Sequence, residues 1–143
     1  MRVLVLVKAS PESETGQMPP DFKDFVDQMN KFNEELTRAG VMLAADGLYP
    51  SNKGKRVRFD GTKRSVIDGP FAETKELVAG FWIWQVRNTD EAVEWLKRAP
   101  FQEGDVEIRP IYESEDFGRD IGHPDIAAKE NKLKDDIAAR SAR

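Results

Sequence analysis

The sequence predicts one α+β domain whose strands and helices follow the order β-α-β-hairpin-β-α-β. Three features predict it. Residues 2–8, Arg2-Val3-Leu4-Val5-Leu6-Val7-Lys8, are an unbroken run dominated by Val and Leu and favourable to a strand. Phe22, Phe25, Val26, Met29, Phe32 and Leu36 recur at steps of three and four, which draws a single apolar stripe on a helix. An Asp60-Gly61 pair between two short alternating runs marks a hairpin, and a further strand, helix and strand follow it.

The first strand is apolar on both alternating sets, so it is expected at the centre of the sheet, covered on both faces. A loop with Pro11, Gly16, Pro19 and Pro20 leads to the striped helix. Pro20 and Asp21 suit its first turn, and Gly40 suits the left-handed position just past its end. A second strand over residues 41–48 stops near Pro50. Residues 55–59 and 64–67 are the arms of the hairpin. Asp68-Gly69-Pro70 is a turn, followed by a short helix over 71–78. Residues 80–87 form a strand with two apolar sets, Phe81/Ile83 and Trp82/Trp84/Val86, and both tryptophans read as core or interface residues. Thr89 is expected to cap the next helix, with Asp90 and Glu91 at its positive end and Lys97 and Arg98 at its negative end. Residues 106–111 supply the last core strand. This is the split βαβ arrangement of ferredoxin-like folds.

From about residue 113 charged and small residues dominate, and Ile121, Ile126, Leu133 and Ile137 are the strongly apolar positions. Pro124 and Asp125 open a last helix through about residue 139. The division is a domain over 1–112 and a charged extension over 113–143. Three properties of the 143 residues narrow the function: a formal net charge of -4, 34% charged residues and no cysteine. The charge balance argues against a nucleic-acid partner, since phosphate neutralisation needs surplus Lys and Arg. Without cysteine there are no disulfides, thiolate nucleophiles or thiolate metal sites, and the expected address is cytoplasmic. No run approaches the roughly 20 apolar residues of a membrane span.

Four antiparallel strands with two helices on one face leave the other face open, and here that face is apolar too. A second copy packed on it by two-fold symmetry is the simplest cover; the alternative is that the hairpin and the C-terminal segment fold back over it. The expected assembly is therefore a homodimer, with a shared cavity able to hold a small molecule.

Asp68 and Glu73 are the candidate catalytic carboxylates. They are close enough in sequence to share a site, and paired carboxylates divide acid and base roles or hold a hard cation. The bland alternatives are a turn or helix cap for Asp68 and a solvated helix face for Glu73. Glu107 and Arg109 lie two residues apart on one face of the last strand, where Arg109 would grip an anion bidentately or merely pair within the sheet. Lys8 ends the first strand at the same cavity and completes the substrate-binding candidates. The single histidine, His123, rules out a Ser–His–Asp triad within the folded domain and His/Cys zinc catalysis. The glycines form no nucleotide-binding string. No cofactor or metal is called for.

The string Asp68-Gly69-Pro70-Phe71-Ala72-Glu73-Thr74-Lys75-Glu76 resembles the signature of the YCII-related proteins, in their DGPF branch. Gly80-Phe81, Glu91-Ala92, Trp95 and Val106-Glu107-Ile108-Arg109-Pro110 fit in order, so the resemblance spans roughly residues 1–112. It implies a ferredoxin-like fold that pairs into a dimeric α+β barrel. The candidate groups themselves fit cofactor-free proton-transfer or lyase/isomerase-type chemistry on a small anionic compound, with a non-catalytic binding or dimerisation role as the alternative. Relatives are regarded as enzymes on the strength of a His–Asp pair; here that pair is not carried over, because His123 falls outside the resemblance.

Overall fold

A computed structural model describes residues 1–119 and 123–141; Ile121 lies outside them. The chain forms two compact units, Met1–Pro110 and Ile111–Arg143. The first has the ferredoxin-like α+β architecture. Its elements are β1 (Arg2–Lys8), α1 (Pro11–Thr15), α2 (Phe22–Arg38), β2 (Met42–Gly47), β3 (Lys55–Asp60), β4 (Lys63–Asp68), β5 (Val78–Gln85), α3 (Thr89–Leu96) and β6 (Val106–Pro110). The main sheet has the order β2-β5-β1-β6, and every pairing in it is antiparallel. β1 therefore occupies an inner position, as its two-sided apolar run requires.

One side of the sheet carries the core. Val3 and Val5 of β1, Trp82 and Trp84 of β5, Phe32 and Leu36 of α2, and Val41, Val86 and Ala92 are all buried. Phe32 meets the Trp82 ring edge-on at 5.9 Å and 83°, a geometry the ring quadrupoles favour. The Trp82 indole N–H donates to Asn33 Oδ1 at 2.8 Å. Among the described residues the buried Trp84 indole N–H has no hydrogen-bond partner. α2 ends as its sequence predicts. Gly40 has φ 72, and the N–H groups of Gly40 and Val41 donate back to the carbonyls of Thr37 and Leu36, which satisfies the last turn.

Three local expectations are corrected. The loop after β1 contains α1, because Ser10 and Ser13 cap each other reciprocally and Pro11 opens the helix; a Ser-x-x-Ser box was the signal. The N-cap of α3 is Asn88, whose side chain accepts from the Glu91 N–H, and Thr89 is already helical. The helix expected over 71–78 is only a 3₁₀ turn at Thr74–Glu76, since a segment this short gains too few hydrogen bonds to nucleate an α-helix.

The hairpin β3–β4 forms a sheet of its own. It does not fold back over the main sheet: Val57, Phe59 and Val66 remain 50%, 69% and 65% exposed. The second unit contains α4 (Ser114–Arg119) and α5 (Pro124–Ser141). Within it Lys134 reaches Ser114 Oγ at 3.3 Å and Glu113 at 3.7 Å, and the rings of Tyr112 and Phe117 lie 5.4 Å apart. Ile126, Leu133 and Ile137 of α5 stay exposed, as does His123 at its start. Among the described residues no helix is long and apolar enough to cross a membrane.

Candidate functional site

The pleat of β1 decides which residues share the face away from the helices. Val3 and Val5 turn into the core, so Leu4, Leu6 and Lys8 turn the other way. Register then fills that face. Leu4 lies opposite Ile83 and Leu6 opposite Phe81 on β5, while on β6 Leu4 lies opposite Arg109 and Leu6 opposite Glu107. Directly opposed residues share a face. The result is a half-buried apolar floor of Leu4, Leu6, Phe81 and Ile83 with a charged edge along β6.

That edge brings three candidates together. Lys8 Nζ lies 3.4 Å from Glu107 Oε1, and Arg109 Nη1 lies 3.2 Å from Glu107 Oε2. Two cations thus share one carboxylate, each using a separate oxygen, and the group keeps a net positive charge. The Arg109 hydrogen bond, then the Lys8 hydrogen bond and charge, hold Glu107 below the usual carboxylate range. Arg109 remains 68% exposed, so most of its five donors are open to a ligand.

The direction of that shift gives a pH prediction. A depressed folded pKa means that the ion cluster is intact at neutral pH and is lost only as pH falls through the folded value. Removing the largest cause with Arg109→Gln is expected to move the Glu107 titration midpoint upward, read from its side-chain carboxyl carbon by NMR. An unchanged midpoint would show that Arg109 does not hold Glu107.

Asp68 and Glu73 lie apart from this cluster. Asp68 ends β4, and its carboxylate pairs with Lys55, its register partner on β3, with both side chains in solvent. Glu73 is exposed ahead of the 3₁₀ turn and makes no capping bond. Among the described residues no hydrogen bond or ion pair joins Asp68 to Glu73, or either one to Arg109. No group of three or more His, Cys, Asp or Glu able to hold a metal is found among them either.

What the signature string does instead was not visible in sequence. The Phe71 N–H donates to Ser51 Oγ at 3.1 Å. Ser51 in turn gives its own N–H to Glu14 Oε2 at 2.9 Å and its hydroxyl proton to Glu14 Oε1. The Gly69 N–H donates to the Gly54 carbonyl at 3.0 Å, the Gly69–Pro70 bond is cis, and Arg56 lies over the Phe71 ring at 3.9 Å. The string is therefore seated on the turn at Ser51–Lys53 and, through Glu14, on α1. Sequence offered no sign that Glu14 and Ser51 would meet.

An uncharacterised protein of Rhizobium meliloti (strain 1021) is 30% identical over 86 residues, covering 58% of this chain and 69% of its own. A solved structure similar in part is 5-chloro-2-hydroxyhydroquinone dehydrochlorinase from Burkholderia phenoliruptrix AC1100 in complex with 2,5-dihydroxybenzoquinone. It shares 14% identity at a TM-score of 0.44, over 79% of this chain and 95% of that one. The model of the YCII-related domain matches residues 1–115, and the chain belongs to the YCII-related family.

Proposed function

We propose that this protein binds a small anionic molecule on the open face of its sheet, at Lys8, Glu107 and Arg109, and works as a cytoplasmic homodimer of the DGPF branch. The observation that carries the reading is the charged edge itself: two cations share a single carboxylate beside the floor of Leu4, Leu6, Phe81 and Ile83. Such a site offers unsatisfied N–H donors to a carboxylate or similar anion and an apolar bed to the rest of the molecule. A second copy over the face would exclude water and strengthen the ion contacts. In this reading residues 1–112 carry the site and 113–143 are an extension.

For catalysis the reading is proton-transfer or lyase/isomerase-type chemistry without a cofactor, with Asp68 and Glu73, which lie apart from the Lys8–Glu107–Arg109 cluster in the single chain, as the candidate carboxylates. A second reading, binding without catalysis, is favoured by one observation. Both carboxylates stand in solvent in the single chain, and Asp68 is engaged by Lys55, whereas a general base works best in a dry, shielded setting.

Thermal denaturation with benzoate, pyruvate and inorganic sulfate tests the binding site. A ligand at about 100 times its Kd adds about 2.7 kcal/mol, which is a rise in Tm of roughly 5–10 °C for a chain of this size. At least one of these anions is expected to give a saturable rise, and the Lys8→Met/Arg109→Gln double variant is expected to abolish it. The proposal fails if no anion shifts the wild type, or if the double variant responds equally.

A further inference from the structure

The β3–β4 hairpin has two unlike faces. Register sets Lys55 opposite Asp68, Val57 opposite Val66 and Phe59 opposite Arg64 on one of them. That face is an apolar strip closed by the Lys55–Asp68 ion pair at its base and by the Arg64 guanidinium, 4.6 Å from the Phe59 ring centre, at its tip. The other face pairs Arg56 with Ile67, Arg58 with Ser65 and Asp60 with Lys63. Every residue of the two strands except Ile67 is exposed. A two-stranded ribbon with one bare apolar face is marginal in water and needs a third layer.

We propose that the face carrying Val57, Phe59 and Val66 docks on a second copy of this chain, so that each protomer lends its hairpin to the other. This rests on the homodimer proposed above and adds the surface that makes it. Charge selects the occupant. The hairpin, residues 55–68, holds five cations and two anions, a net +3 in a chain whose formal total is -4, so everything outside it carries -7. A positive arm is drawn to the negative body of another copy and repelled by another arm, which favours arm-on-body docking over hairpin-to-hairpin pairing.

Size points the same way. Four strands about 4.8 Å apart and about 20 Å long give the open sheet face a flat footprint of about 400 Å², against roughly 800 Å² of surface buried per partner in a stable interface. The hairpin ribbon adds about half as much again. One two-fold contact would cover both the exposed apolar face of the hairpin and the half-buried floor of the sheet.

The experiment uses the full chain. Wild type is run by sedimentation velocity at micromolar concentration beside Phe59→Ser. Separately, Phe59→p-benzoylphenylalanine, which keeps an aromatic side chain on the hairpin, is irradiated in a mixture of light and heavy isotope-labelled copies. The expected result is a light–heavy crosslink from position 59 to residues within 1–110 of the other copy. The dimer Kd is expected to rise about thirtyfold with Phe59→Ser, the scale of an interface hot spot. A wild type that sediments as a monomer overturns both this inference and the homodimer. A dimer unaffected by Phe59→Ser, with crosslinks absent or confined to residues 111–143 of the same chain, overturns the hairpin docking and leaves the homodimer standing. Position 59 crosslinking only to an added single-stranded oligonucleotide would equally overturn it, in favour of a nucleic-acid partner.

Discussion

Replacing Gly69 with alanine is expected to be among the most damaging single changes in the molecule, with a loss of about 3–5 kcal/mol. A Cβ built at Gly69 would lie 1.7 Å from the Ser51 carbonyl oxygen and 2.7 Å from its carbon, and 3.3 Å from the Asn52 Cα. All three neighbours are backbone, so no side chain can swing aside to make room. Relief requires the 68–71 turn and the 51–53 turn to separate by more than an ångström. That movement breaks the Gly69–Gly54 and Phe71–Ser51 hydrogen bonds and frees Ser51 from Glu14. The expected loss is a large share of the 5–15 kcal/mol that holds a typical domain folded. Urea denaturation beside Gly47→Ala checks it, because a Cβ at Gly47 meets nothing within 4 Å. Equal midpoints for the two variants would mean that the close approach at Ser51 is wrong.

Trp84→Ala is expected to cost a similar amount for a different reason. Trp84 is fully buried, with Trp82 5.5 Å away and Phe32 6.3 Å away, ring centre to ring centre. Truncation forfeits the transfer free energy of the indole and leaves a cavity in the middle of the sheet, together about 3–5 kcal/mol. Trp84→Phe isolates the polar part. Because the Trp84 N–H has no partner among the described residues, phenylalanine discards a buried donor that is unpaired among them along with the volume, and the change should be much milder than the alanine one. At Trp82 the same replacement also deletes the bond to Asn33, so Trp82→Phe should cost more than Trp84→Phe. The reverse order in chemical denaturation would contradict the assigned hydrogen bonds.

The strands and long helices were legible because periodicity records burial directly. β1 and β5 alternate two apolar sets, α2 carries a stripe, and Gly40 takes the positive φ that its position at a helix end calls for. Charge type and strand spacing also predicted that Glu107 and Arg109 share a face, and register brought Lys8 to them. Nearness in sequence pairs Asp68 with Glu73 but says nothing about direction in space: one faces Lys55 across a hairpin and the other lies beside a 3₁₀ turn. The Ser51–Glu14 contact spans 37 positions. Its members are common surface residue types, so no local pattern marked them. The hairpin's exposure was illegible for a related reason: alternation shows that one face of a strand is apolar, not which molecule meets it.

A string that identifies a family need not contain its reactants. In this chain Gly69, Pro70 and Phe71 form half of a joint, and the other half is a serine twenty positions upstream. Neither half is a transplantable part. Grafting the nine-residue string into a relative would require carrying the mating turn and its glutamate with it, and a bulkier residue at one member would have to be matched by a retreat at the other. Double substitutions across the joint, rather than single ones within the string, are the changes this architecture can absorb.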